Sequence, residues 1–171
     1  MSYYFSKEVS LAFDEAIAKV TDDLKKEGFG ILTDIDVKAT LKKKLEVEFR
    51  PYRILGACNP PFAYQALQAE DKIGTMLPCN VVVQEIAPNK VEGAAIDPIA
   101  SMQAIQNPGL RSIAEEVQAK LRRVISNLYA KPSSYLFTSY FKKVLGRTSA
   151  APMETEIRVD CLGEELFGKI K

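Results

Sequence analysis

Two cysteines, each followed by asparagine, are the residues of this sequence best equipped for chemistry: Cys58-Asn59 and Cys79-Asn80. A thiol becomes a strong nucleophile only once its proton is lost. Cys58 stands directly before Asn59-Pro60-Pro61, a pattern that starts helices, and the positive end of a helix dipole favours a thiolate. On this reading Cys58 is nucleophile or carrier and Cys79 its resolving partner. Asn59, Asn80 and adjacent backbone then stabilise the charge, and Gly56 and Arg53 complete a candidate thiol or ligand site. The same cysteines also read as small buried side chains at strand ends, since free cysteine is among the most buried residue types. Topology bears on the choice. Parallel strands would separate the sulfurs to opposite ends, whereas antiparallel strands would bring them to one end, within the roughly 4–7 Å Cα spacing of a disulfide.

Several other chemistries are excluded or left open by residue type. The sequence holds no histidine, which removes Ser–His–Asp, Cys–His and histidine–metal mechanisms within one chain. Its 23 Lys and Arg against 22 Asp and Glu leave a formal charge of +1, so the electrostatic basis of nucleic-acid binding is missing. Cys58, Cys79 and Cys161 make an odd count with no Cys-x-x-Cys. That argues against a disulfide framework or zinc knuckle and for a reducing, cytoplasmic home. No metal and no cofactor is expected. Asp34-x-Asp36 could hold a divalent cation, but Asp36 reads better as a helix cap. Arg50 and Arg53 flank Pro51-Tyr52 and could clamp an anion or pair with acids. Lys42-Lys43-Lys44 reads as a wet helix face. Gly28-Phe29-Gly30 lacks the third glycine and the strand-before-helix setting of a phosphate loop.

These residues need elements to position them, and the sequence marks most of those. With 171 residues, 47% hydrophobic and 26% charged, the chain can bury about two thirds of its surface without staples. Residues 2–9 alternate as a strand. Phe13, Ala16, Ile17, Val20 and Leu24 recur at helical spacing, and Gly28 offers a left-handed stop. Residues 29–35 alternate as a second strand, and Asp36 caps a short basic helix running through Leu41 and Leu45. Residues 52–58 form a third strand, with Tyr52, Ile54, Gly56 and Cys58 on one face. Asn59-Pro60, Asp97-Pro98 and Asn107-Pro108 repeat one signal, an Asx cap with proline at the first helical position, so helices are expected from Pro60, Pro98 and Pro108. Residues 79–86 and 91–96 pair as a hairpin across the turn at 87–90. Leu110, Ile113, Ala114, Val117, Leu121, Val124, Ile125 and Leu128 trace one apolar stripe over five turns. The order β-α-β-α-β-α-β-β-α-α predicts an α+β core over residues 1–128, one mainly antiparallel sheet with helices on one face.

Residues 129–171 read as an appendage of helix, linker and short strand. Residues 129–147 carry four basic side chains and no acid, with Leu136, Phe137, Tyr140, Phe141, Val144 and Leu145 on one helical face. Such an arm can dock on its own core, on a dimer mate or on an anionic membrane surface, although one short helix binds membranes only marginally. The strand-like residues 156–162 can add to a sheet edge. No basic start followed by an apolar run marks a secretory signal, and no stretch approaches the roughly 18 apolar residues of a membrane span.

Four segments carry a family resemblance: GFGILTDIDVKAT at 28–40, PYRILGACNP at 51–60, LPCNVVV at 77–83 and AIDP at 95–98. Together they resemble the domain-of-unknown-function family numbered 302, over about residues 3–128. The resemblance implies a TBP-like α+β fold, a tendency to form homodimers and no established activity. Some relatives are fused to sulfur-handling domains of the rhodanese type. Two positions depart from the family pattern. Relatives often carry a histidine near the start of the helix after Cys58, where this chain has Phe62-Ala63-Tyr64-Gln65. Glu46 stands where a helix-ending glycine is usual. The expected function is a cytoplasmic homodimeric binding or assembly module for a small ligand or protein partner. The alternatives are cysteine-dependent thiol or sulfur handling through Cys58 and Cys79, and anchoring to a membrane or complex through residues 135–147.

Overall fold

A computed structural model of the chain describes residues 2–129. The expected docking face of the arm (Leu136, Phe137, Tyr140, Phe141, Val144 and Leu145), the strand at 156–162 and Cys161 lie outside the described residues. The elements run β1 Tyr4–Val9, α1 Phe13–Lys26, β2 Gly30–Asp36, α2 Val37–Leu45, β3 Tyr52–Cys58, α3 Pro60–Ala69, β4 Cys79–Ala87, β5 Lys90–Ile96, α4 Pro98–Ser101 and α5 Arg111–Ser126. One five-stranded sheet holds the strands in the order β1-β5-β4-β3-β2, and every neighbouring pair is antiparallel. The fold is α+β, as the element pattern predicts.

Local chemistry sets the boundaries. α1 ends because Gly28, at φ 85°, turns the chain left-handed, letting the Phe29 N–H reach the Leu24 carbonyl at 2.9 Å. α2 begins where the Asp36 carboxylate accepts from the Ala39 N–H at 2.8 Å. It ends at Glu46, which occupies φ 58°. The chain therefore keeps the left-handed stop that glycine would make without strain.

The repeated Asx-Pro signal is expressed unevenly. Asp97 caps by accepting from the Ile99 N–H at 3.0 Å, but α4 is only four residues long. The helix expected from Pro108 opens with a three-residue 3-10 turn, capped by Asn107, and runs directly on as α5. The cap expected at Asn59 does not form. Its side-chain amide is drawn away to donate to the Glu27 carbonyl at 3.3 Å, tying the start of α3 to the end of α1.

The core lies on one face of the sheet. Leu55, Ala57, Cys79, Val81, Val83, Val91 and Ala95 from the strands meet Val20 and Leu24 of α1 and Val117, Leu121 and Val124 of α5. Burying such aliphatic side chains contributes about 1.5–3 kcal/mol each before entropy is counted. Just past α5, Leu128 seats over Gly93, where an added Cβ would come 2.5 Å from the leucine methyl. Glycine is required there because the leucine side chain packs directly against the strand backbone.

Candidate functional site

The sheet register assigns each candidate residue to a face. Antiparallel partners share a side, and neighbours along a strand alternate. Ala57 pairs with Cys79 and Gly56 with Asn80. Cys79 therefore shares the buried, helix-covered face with Ala57. Cys58, one residue beyond Ala57, turns to the opposite face with Gly56 and Asn80. The antiparallel arrangement brings both cysteines to one end of the sheet, as that topology requires. The pleat starts them on different sides of the sheet, yet both border one small cavity, and Cys58 is near enough to add to the rise at Cys79.

Neither thiol sits where a thiolate is favoured. Burial pushes the Cys58 thiol up. Burial, with a smaller repulsion from Cys58, raises Cys79 to about 11. At the start of α3, Pro60 and Pro61 have no N–H to offer an anion, and the Ala63 N–H makes the first helical hydrogen bond, to the Asn59 carbonyl at 2.9 Å. Asn59 is buried, and its side-chain amide already donates to the Glu27 carbonyl.

Gly56 and Arg53 have structural tasks. A Cβ on Gly56 would collide with the Thr33 side chain and come 2.7 Å from Pro78 Cγ, so glycine lets these two residues close over β3. Arg53 lies at the other end of β3, far along the strand from Cys58. Its guanidinium holds Asp34 at 3.1 Å and Asp36 at 3.5 Å. Arg50 donates to the Gln84 carbonyl oxygen at 2.7 Å and stacks over Phe49. Both arginines take the pairing role rather than an anion clamp. Among the described residues, no three cysteines or carboxylates gather into a metal cluster.

Two features escape a residue-by-residue sequence reading. One is an apolar cavity of about 30 Å³ at the cysteine end of the sheet, bordered by Ala57 and Cys79, by Phe62 and Ala66 of α3 and by Val117 of α5. Cys58 also borders it, from the last position of β3. Only contact between elements distant in sequence creates this space. The other is the open face of the sheet. Its middle row runs Ser6, Ala94, Val82, Ile54 and Ile35 across the five strands. Beside that row, Tyr4, Tyr52 and Asn80 help line a groove of about 400 Å³. A signal for this face does exist in the sequence. The run Val81-Val82-Val83 is apolar at consecutive positions, which puts apolar side chains on both sides of β4.

Comparison with known proteins adds the following. A family model described as "Domain of unknown function DUF302" matches residues 5–128. The crystal structure of an uncharacterized conserved DUF302 protein from Bacillus stearothermophilus is 27% identical and superposes with a TM-score of 0.70. The match covers 75% of this chain and 99% of that one. No curated protein matches the sequence.

Proposed function

This chain belongs to the DUF302 family, and from that premise we propose that it is a binding or assembly module that works as a homodimer through the open face of its sheet. The observation that carries the reading is the middle row of that face. Ala94, Val82, Ile54 and Ile35 put apolar side chains where α1, α3 and α5 do not reach, and Ile35 and Tyr4 are 45% and 43% exposed. Tyrosines flanking an apolar centre favour association, because they bury large area and keep a polar tip. A two-fold contact must be self-complementary. Of the acids bordering this face, Glu8 is paired with Lys90, and Glu92 accepts a hydrogen bond from the neutral Gln84 amide at 2.6 Å. A second copy docked with Glu92 at the wet rim buries no unpaired charge, which would otherwise be costly.

The near-neutral composition supports protein or small-molecule partners over nucleic acid. Cysteine chemistry lacks support of the same kind, because burial pushes both thiols up from their ordinary value. Among the described residues no helix is long and apolar enough to cross a membrane. The anchoring role of residues 135–147 concerns a segment outside the described residues.

The test is sedimentation of the full chain beside an Ala94→Arg variant. The dimer reading expects the wild type to be dimeric at micromolar concentration, and the variant to be monomeric with an unchanged circular dichroism spectrum. A monomeric wild type, or a variant that stays dimeric, overturns it.

A further inference from the structure

Behind the loop between α4 and α5 lies a second concavity, a cleft of about 620 Å³. It shares two wall residues, Met102 and Ala114, with the small cavity at the cysteine end of the sheet. The two spaces are therefore adjacent, separated by a thioether side chain and a methyl group. Methionine is the side chain best able to swing aside in such a place, being unbranched with several rotatable bonds. The inner space is apolar almost throughout. A dry apolar cavity gains nothing from water and favours a hydrocarbon group.

The outer cleft differs in its rim. Arg111 is 84% exposed and spends only its Nε on Glu115, at 3.1 Å, so the two terminal nitrogens keep free donors. The Gln106 amide lies on the same cleft. These groups present several hydrogen-bond donors to a planar acceptor such as a carboxylate. The inner walls, Ile105, Leu110 and Ala114, are apolar.

Spacing along α5 joins the two parts. Arg111 at the outer rim, Ala114 in the shared wall and Val117 in the inner cavity stand three residues apart, so each neighbours the next in a row that winds round the helix from exposed rim to buried interior. Arg111 and Val117 are separated by about 9 Å of helical rise. An extended carboxylate of about eight carbons is of similar length.

We infer that the cleft and the cavity behind Met102 form one binding site for a medium-chain aliphatic monocarboxylate. The carboxylate is held at Arg111, the chain lies along the outer cleft, and its terminal methyl passes Met102 into the small apolar space beside Cys79. The site lies on the helical side of the molecule and is independent of the sheet face used for the dimer, so either reading can fail alone.

The experiment titrates the full chain with octanoate, and with n-octanol as the uncharged analogue, by calorimetry and methyl NMR. Saturable one-to-one octanoate binding is expected, with the Met102 methyl resonance shifted. Arg111→Gln, an exposed change that leaves the fold intact, is expected to weaken octanoate roughly tenfold and leave octanol unaffected. Met102→Trp, which fills the passage, is expected to abolish both. Bound octanoate is also expected to slow the reaction of Cys79 with methyl methanethiosulfonate, which forms the methyl disulfide and releases methanesulfinate, in a Cys58→Ser background read at the Cys79 peptide. Non-saturable binding, equal octanoate affinity in Arg111→Gln, or a rate of Cys79 methylthiolation that octanoate leaves unchanged each overturns the proposal. Loss of the dimer in Ala94→Arg with octanoate binding intact would leave this site standing.

Discussion

Glu46 closes α2 from a backbone conformation, φ 58°, that a residue with a Cβ adopts at a cost. Glu46→Gly is therefore expected to stabilise the protein by about 1 kcal/mol, read as a rise in the urea midpoint with unchanged slope. Gly56→Ala works the opposite way. The new methyl meets Thr33 and the ring of Pro78, and a loss of about 1–3 kcal/mol is expected in the same measurement. At Cys79 the thiol is raised from 9.0 to about 11, so the folded state holds that proton more tightly than the unfolded one. Its contribution to stability is intact below pH 9 and is lost as pH climbs from 9 towards 11, by roughly 2–3 kcal/mol in all. Chemical denaturation across that range, compared with Cys79→Ala, checks the sign; a difference that is flat with pH contradicts it. The identities of these residues were legible in the sequence, and so was the departure at Glu46. The direction each cysteine faces was not, because it depends on a cross-strand register that no local pattern prints. Nor was the pull of the Glu27 carbonyl on Asn59, which joins residues 32 positions apart.

At the scale of elements, α1 and α5 are held to each other by charge as well as packing. Arg123 donates to both Glu27 carboxylate oxygens at 2.9 Å, and that bond keeps the Glu27 carboxyl below its ordinary range despite partial desolvation. Within α1, burial disfavours the charge on Asp23, but hydrogen bonds from Lys19 and Lys26 outweigh it and lower its pKa. A carboxyl lowered in the fold adds stability above its unfolded pKa, and that stability is lost as pH falls through the lowered value. Lys19→Met removes one partner of a 4% exposed carboxylate. It is expected to cost about 2 kcal/mol at pH 7, with the gap from wild type narrowing as pH falls below 4. Thermal midpoints at several pH values measure this. Most elements could be read from the sequence, because apolar spacing and Asx-Pro starts are local signals. The shortness of the Pro98 helix could not, since a proline start says where a helix begins and nothing about where packing lets it stop.

For the whole molecule, a sheet packed on one side leaves the other to solvent or to a partner. If two copies meet there, mass action makes the melting temperature rise with protein concentration. Ala94→Arg is expected to melt at a temperature independent of concentration, and calorimetry over a hundredfold range separates the two cases. The one-sided α+β architecture was legible because the core strands alternate and the helices carry single stripes. The cavity at the cysteine end was not. Its walls come from β3, α3, β4 and α5, and an empty space between them has no residue of its own to announce it.

One residue of β2 is spare. The pairing with β3 slips between Ile31 and Thr33, so that Leu32, 66% exposed, bulges out with no partner opposite. On either side of it the pairs follow one another without a gap on β3: Ile31 with Ala57, then Thr33 with Gly56, and on to Ile35 with Ile54 and Asp36 with Arg53. Taking Leu32 out would join the two runs into one regular ladder, with every later side chain of β2 on the face it has now. In a comprehensive library of single-codon changes, position 32 is therefore expected to accept nearly any substitution and to survive deletion as well. The strand carries one letter that its spelling does not need.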